Sequence, residues 1–212
     1  MSIERMDAVR VESPSLSSAQ MVGRLRQTAS LLRNQVNFWQ QYIGPWCQRP
    51  VNTLSQPKWT EGGVANQMIS TGWVSLGPGQ ALLVEVPHCA VRYQGFQLGH
   101  RWWFNTFDYR CRQSSLNGSQ AQRSADGVYR YVISMEDPGV VNWLDTEGHR
   151  QALVSIRWQG IGDELPQAPQ VQLLELAELR RHLPADEPVV SEALRQAQLR
   201  RRRQGIDKRY WA

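Results

Sequence analysis

The chain lacks the features that mark disulfide-rich, membrane-spanning or secreted proteins. It contains no run of about 18 apolar residues, so we expect no transmembrane helix. Its three cysteines are widely spaced and include no C-x-x-C pair, which favours reduced thiols over a disulfide framework or a zinc site. The N-terminal region has no apolar stretch typical of a secretory signal. With 212 residues, 41% of them hydrophobic and 20% charged, the sequence predicts a soluble, cytoplasmic, globular protein with its own core.

Lysine is scarce, and the positive charge is unevenly placed. The formal net charge is +5, but residues 195–212 hold seven basic side chains and one acid, so the rest of the chain is nearly neutral. This distribution argues against a broad nucleic-acid-binding face, and we do not expect nucleic acid as a partner. The run Arg200–Arg203 allows two interpretations. It is either a salt-sensitive clamp for an anionic partner or a solvated helix end whose charge suits the helix dipole.

A helical period dominates the first part of the chain. From Ser17 to Ile43, apolar residues recur at spacings of three, four or seven on one stripe, with Ser17 or Ser18 as the expected cap. We expect this helix to end at Gly44-Pro45, because proline disfavours the helical conformation of the residue before it. The stripe favours packing on the body or against a second copy over a ligand role.

The middle of the chain changes to short segments rich in branched and aromatic residues, separated by turn signals. Six strands are expected, with strong turns at residues 76–80 and 124–127, and no helix between them. This pattern predicts an antiparallel sandwich or barrel and disfavours a parallel dinucleotide-binding sheet. A terminal helix is expected over residues 190–203.

Aromatic side chains and uncharged hydrogen-bonding groups are dense between Arg92 and Trp158. This mixture is typical of a small-molecule pocket, although a tryptophan-rich core and its rim give the same composition. The candidate ligand-binding residues are Tyr93, Gln97, Trp103, Tyr109, Arg112, Asn117, Asn142 and Trp143.

The segment from Asp137 to His149 reads as a rigid loop beyond a strand end, where sandwiches often place functional groups. If the site is catalytic, His149 is the candidate general acid/base, Asp145 or Asp137 orients it, and Tyr109 or Arg112 donates to a substrate oxygen. A structural role for His149 is the alternative. No nucleophile elbow, metal-ligand motif or phosphate-binding glycine loop accompanies the segment.

An ordered series of motifs resembles the uncharacterised bacterial "domain of unknown function twelve-fourteen" family over about half the chain, from Val51 to Gln159. The resemblance implies a jelly-roll-like β-sandwich and no settled activity. Many relatives carry a longer region ahead of this one, and Arg150-Gln151-Ala152 departs from their pattern. The motifs are Leu83-Val84-Glu85-Val86, Arg92-Tyr93-x-x-Phe96-Gln97-Leu98, Asp108-Tyr109-Arg110-x-Arg112-Gln113-x-Ser115-Leu116-Asn117, Ala125-Asp126-Gly127, Asp137-Pro138-Gly139-x-x-Asn142-Trp143-Leu144-Asp145-x-x-Gly148-His149 and Arg157-Trp158.

The expected architecture is mainly β: an antiparallel, jelly-roll-like β-sandwich with an N-terminal amphipathic helix and a basic C-terminal helix. We divide the chain into a flexible arm (1–16), the amphipathic helix (17–46), the sandwich domain (47–180) and the basic helix and tail (181–212).

Two functions follow from these patterns. The first is a pocket for an apolar small molecule such as a steroid, terpenoid or aromatic compound. If it is catalytic, it acts as a cofactor-independent isomerase, lyase or hydrolase. The second is a non-catalytic assembly module that dimerises through its helices. We expect no membrane partner and no metal. A metal site built from His88, His149, Glu85 or Asp137 is chemically possible, but their spacing does not support it.

Overall fold

The computed structural model describes residues 15–60, 63–102 and 104–210. Most of the predicted arm, and Trp103 among the candidate ligand residues, lie outside the described residues. The chain divides into two compact units, one ending at Trp39 and the other beginning at Gln40. The first helix belongs partly to each unit.

Helix α1 spans Ser18–Cys47 and starts at a capping box. The Gln20 backbone N–H donates to Ser17 Oγ, and the Ser17 backbone N–H donates to Gln20 Oε1, so the two residues satisfy each other's free donors. The predicted end at Gly44-Pro45 is wrong, because Pro45 lies inside the last turn. Ile43 and Trp46 are buried there against Ile69 and Leu153, and this packing holds the helical conformation that proline disfavours.

Two sheets form the second unit. Their strands are β1 Thr53–Leu54, β2 Lys58–Trp59, β3 Gln67–Ser75, β4 Gln80–Pro87, β5 Val91–Gly99, β6 Ser115–Asn117, β7 Val128–Ser134, β8 Trp143–Asp145, β9 Gln151–Ile161 and β10 Gln170–Glu175. The first sheet contains six strands in the order β1-β3-β9-β5-β6, with β2 also paired to β3, and the second has the order β10-β4-β7-β8. All pairs are antiparallel except β7 with β8.

The core lies between the sheets and follows from the alternation of side chains along each strand. In β4, Leu82, Val84 and Val86 belong to the main core cluster, whereas the intervening Ala81 and Leu83 belong to a second cluster on the outer face. A 3-10 helix, Leu176–His182, contributes Leu179 to that second cluster. The central strands β4 and β7 are therefore covered on both faces, which explains their nearly continuous burial.

Helix α2 spans Glu192–Tyr210 and is the last element of the described residues. The expected mainly β fold with a helix at each end is therefore confirmed, and the two sheets form a β-sandwich. Among the helices of the described residues, none is long and apolar enough to cross a membrane.

Candidate functional site

The Asp137-Pro138-Gly139 turn connects β7 to β8 and is fixed by its own side chain. Asp137 Oδ1 accepts a hydrogen bond from the Gly139 backbone N–H at 2.9 Å. Gly139 has a φ of 68°, in the left-handed region that favours glycine. The turn is rigid for these two reasons, as its composition indicates.

Arg195 of α2 joins the helix to this turn. Its side chain is only 3% exposed, and its Nε donates to Asp137 Oδ2 at 2.8 Å. Its Nη2 donates to the Val140 carbonyl oxygen, and the guanidinium lies 5.1 Å from the centre of the Trp143 ring. Since Arg195 occupies both carboxylate oxygens, Asp137 does not act as a free base in this arrangement.

Asp145 is the second buried carboxylate of the segment, with a side chain only 4% exposed. Its Oδ2 accepts a hydrogen bond from Arg112 Nη1 at 3.2 Å, and its Oδ1 accepts one from the Glu147 backbone N–H at 2.7 Å. Arg112 itself is half-exposed. The carboxylate therefore fixes the start of the loop over residues 145–149 and holds one guanidinium at the surface.

These contacts leave a groove of about 610 Å³ beside α2, which we call the α2 groove. It combines apolar and charged groups, and it brings together four predicted site residues: Arg112, Asp137, Trp143 and Asp145. The full lining is Cys111, Arg112, Asp137, Gly139, Trp143, Asp145, Val190, Glu192, Arg195, Gln196 and Leu199.

His149 is placed elsewhere, in a cluster of rings. Its imidazole stacks on Phe107 with ring centres 5.3 Å apart and meets the His100 ring edge-on at 4.8 Å. Burial and the neighbouring His149 lower the pKa of His100, while Glu147 opposes the shift. His149, Asp145 and Asp137 thus each have their own partners among the described residues, and His149 is not part of the groove lining.

The other predicted ligand residues are divided among separate places. Tyr93, Gln97 and Asn117 line a small cavity of about 130 Å³ with Arg157. Tyr109 lies with Asn117 at a cavity of about 610 Å³ near the end of α2. Asn142 is buried and structural, because its amide bonds both the backbone N–H and the carbonyl of Gln122.

The residues of the alternative metal site do not assemble either. Glu85 accepts a hydrogen bond from Arg130 Nε at 2.8 Å, whereas His88 packs near Tyr129 with ring centres 6.1 Å apart. The structure instead brings His149 close to His100 and Glu147, two residues that sequence reasoning did not single out.

The sequence reasoning also missed the anchoring arginines of α2. Arg202 donates to the Tyr109 carbonyl and to both the carbonyl and hydroxyl oxygens of Ser115. Burial lowers the pKa of its guanidinium. A signal for this role was available, because Arg195 and Arg202 are seven residues apart and so share one helix face.

Comparison with one solved structure supports the fold. The chain is similar to a solved structure of an uncharacterized protein from Burkholderia cenocepacia, with a TM-score of 0.67, 27% identity and coverage of 82% of this chain. The chain spans 48% of the length of that protein. A distant likeness to a protein from Vibrio parahaemolyticus has a TM-score of 0.37 and 14% identity, covering 63% of this chain and 33% of that one.

No family model and no curated protein matches the chain. The fold defines the class of the molecule, a two-sheet β-sandwich with a helix at each end of the chain's described elements, and the contacts of α2 define the groove beside the Asp137 turn.

Proposed function

We propose that the protein binds an apolar small molecule, such as a steroid, terpenoid or aromatic compound, in the α2 groove. The observation that carries the proposal is a half-exposed guanidinium, Arg112, beside apolar groups of Trp143, Val190 and Leu199. Apolar walls with a few oriented polar groups are the usual lining of ligand sites. Arg112 uses one donor on Asp145 and has further N–H groups for an acceptor oxygen of the ligand.

Binding fits this geometry better than acid/base chemistry. Asp137 is held by Arg195, and Asp145 by Arg112 and the Glu147 backbone, while His149 belongs to the ring cluster. We also infer membership of the "domain of unknown function twelve-fourteen" family, on the order of the motifs in the sequence. Three residues of the longest of those motifs, Asp137, Trp143 and Asp145, line the groove beside α2.

Filling the groove tests the proposal. The probe is 8-anilino-1-naphthalenesulfonate, an aromatic molecule that carries acceptor oxygens. Gln196→Trp puts a bulky ring into the groove from an exposed position, so we expect the affinity to fall at least about tenfold, or roughly 1.4 kcal/mol. Leu194→Trp, at an exposed position of the same helix outside the groove, is the control and should bind the probe with the affinity of the unsubstituted protein.

A second probe, N-phenyl-1-naphthylamine, tests the role of Arg112, because it has the same aromatic groups and lacks the sulfonate. Arg112→Met should weaken binding of the sulfonate probe and leave the neutral probe bound. Retained binding of the neutral probe also shows that the groove is still folded. Equal affinities of Gln196→Trp and Leu194→Trp for both probes would contradict a ligand site in the groove.

A second candidate function is dimerisation through α1, and exposed apolar residues favour it. Met21, Leu25 and Leu32 lie on one stripe and are 46%, 62% and 65% exposed. Exposed apolar stripes of this length are typical of contacts with another chain, and a second copy of this chain supplies an identical stripe. Sedimentation velocity of a variant with a polar stripe tests this candidate.

A further inference from the structure

Two loops of the sandwich bring three metal-ligating side chains together. His100 follows β5, and Glu147 and His149 follow β8. One ligand atom from each of the three lies within 4.8 Å of the other two. None of the three residues lines the α2 groove, so this cluster is a separate feature of the molecule.

Backbone contacts fix the positions from which the three side chains project. The His100 backbone N–H donates to the Asn105 carbonyl at 2.8 Å, and the His149 backbone N–H donates to the Thr146 carbonyl at 2.9 Å. The ring of Phe107, which is 1% exposed, contacts both imidazoles, with ring centres 4.4 Å from His100 and 5.3 Å from His149. The two imidazoles stand at 84° to each other against this apolar base.

The carboxylate is also oriented. Glu147 Oε2 accepts a hydrogen bond from the Asp108 backbone N–H at 3.3 Å, which leaves Oε1 available for a further partner. Such a contact from a neighbouring backbone group is how ligating carboxylates are commonly held.

Glu147 occupies a backbone conformation that its side chain disfavours. Its φ is 57° and that of the following Gly148 is 77°, so the turn uses two successive left-handed residues. Glycine or asparagine is the ordinary choice at such a position, and a strained residue that persists there points to a function of its side chain.

Two imidazoles and one carboxylate form a donor set that suits a first-row divalent transition metal. The donors now lie up to 4.8 Å apart, whereas ligands of a metal with bonds of about 2.1 Å are roughly 3.4 Å apart. Closing that difference takes a side-chain movement of about 1 Å, and His149 is exposed and able to make it.

We propose that His100, Glu147 and His149 form a binding site for a divalent transition metal such as Zn²⁺. His149 is exposed, and His100 and Glu147 are partly exposed, so the bound ion keeps open positions for water or another ligand. The site does not depend on the proposed ligand of the α2 groove. The two features are neighbours, because Asp145 fixes the start of the loop over residues 145–149, and Asp108, which donates to Glu147, also accepts from the backbone of Arg112.

Metal titration of the full chain without an affinity tag tests the proposal. We expect one Zn²⁺ per chain by calorimetry, and visible absorption bands when Co²⁺ is used as the probe. No sulfur-to-cobalt charge-transfer band should appear, because the site contains no thiolate. Loss of contacts outside a metal's ligands already costs 10- to 100-fold in affinity, so His149→Ala should weaken Zn²⁺ binding at least about 100-fold.

The sharpest variant is Glu147→Gly. It removes one ligand and relieves the left-handed strain, so metal affinity should fall while the melting temperature stays the same or rises. His88→Ala and His182→Ala, which remove the two histidines outside the cluster, are the controls and should bind Zn²⁺ as the original does. Gln196→Trp should also leave the Co²⁺ spectrum unchanged, which separates this site from the groove.

Three results would each overturn the site. These are the absence of saturable binding of Zn²⁺ and Co²⁺, binding that survives in both His149→Ala and Glu147→Gly, and binding that His88→Ala or His182→Ala removes.

Discussion

Two fully buried serines on adjacent strands differ in their hydrogen bonding. Ser70 of β3 donates to the Ser55 carbonyl at 2.6 Å. Ser155 of β9 is also 0% exposed, and its hydroxyl has no partner among the described residues. A buried hydroxyl without a partner costs free energy, whereas one that donates to a buried carbonyl stabilises the fold.

The two serines therefore give opposite predictions for the same substitution. Ser70→Ala should lower the free energy of unfolding by about 1 kcal/mol, because it leaves the Ser55 carbonyl unpaired. Ser155→Ala should leave it unchanged or raise it by up to about 1 kcal/mol. Urea denaturation of both variants measures the difference, and an equal loss in the two would show that Ser155 has a partner.

At the scale of elements, α2 is held on the sandwich by side chains that the sequence presents as a charge run. Arg195 and Arg202 reach the Asp137 turn and Ser115. Asp207 accepts from Arg110 at 2.6 Å and 3.0 Å. Much of the basic tail is therefore used within the chain, and the α2 groove exists because these contacts place the helix beside the strand-end loops.

The Arg110–Asp207 pair predicts acid sensitivity of the α2 attachment. The hydrogen bond from Arg110 lowers the pKa of Asp207 below its usual 3.8. The ionised carboxylate is thus favoured in the folded state, so its contribution is present above pH 3.8 and is lost as the pH falls through the lowered pKa. We expect the melting temperatures of the original and Asp207→Asn to differ at neutral pH and to converge in acid, measured by circular dichroism.

A double-variant cycle controls that prediction. Arg110→Gln should reproduce the loss of Asp207→Asn at neutral pH, and the double variant should lose little more than either single one. Full additivity would mean that the two side chains act separately.

At the scale of the whole molecule, the two units of the chain differ in how they bury apolar surface. The unit from Gln40 has its core between and around the sheets, whereas the stripe of α1 in the first unit carries exposed apolar residues. A single helix with an exposed apolar stripe gains little stability by itself, because isolated helices are only marginally stable in water.

The dimer candidate makes a prediction at this scale. Full-length protein should sediment as a dimer, and a variant carrying Met21→Gln, Leu25→Gln and Leu32→Gln should sediment as a monomer with an intact sandwich. Leu194→Gln, an exposed leucine of α2, should leave the dimer unchanged. Identical sedimentation of all three proteins would exclude dimerisation through this stripe.

Local patterns were sufficient to predict most of the fold. The branched and aromatic residues of β4 and β9, the helical stripe of α1 and the turns at Gly79 and Gly127 depend on neighbours in sequence. The end of α1 could not be predicted in this way. Its last turn is held by packing of Trp46 on Ile69 and Leu153, which are distant in sequence.

Less of the candidate site than of the fold could be predicted from the sequence. The Asp137–His149 segment is predicted to be one rigid loop, and this is wrong for its middle, because Trp143–Asp145 form strand β8. Only the Asp137 turn at its start follows from local chemistry. The side chains of the segment, however, have partners from elsewhere in the chain: Asp137 from α2, Asp145 from Arg112, and His149 from the loop of His100 and Phe107. No spacing in the sequence indicates which of those partners each residue meets.

The sequence by itself determined the class of fold, because hydrophobic periodicity and turn residues act over a few positions. Only the tertiary structure decided which charges are used within the chain, where α2 lies, and that His100, Glu147 and His149 come together. These outcomes depend on contacts between segments tens of residues apart, and such contacts exist only once the sandwich has formed.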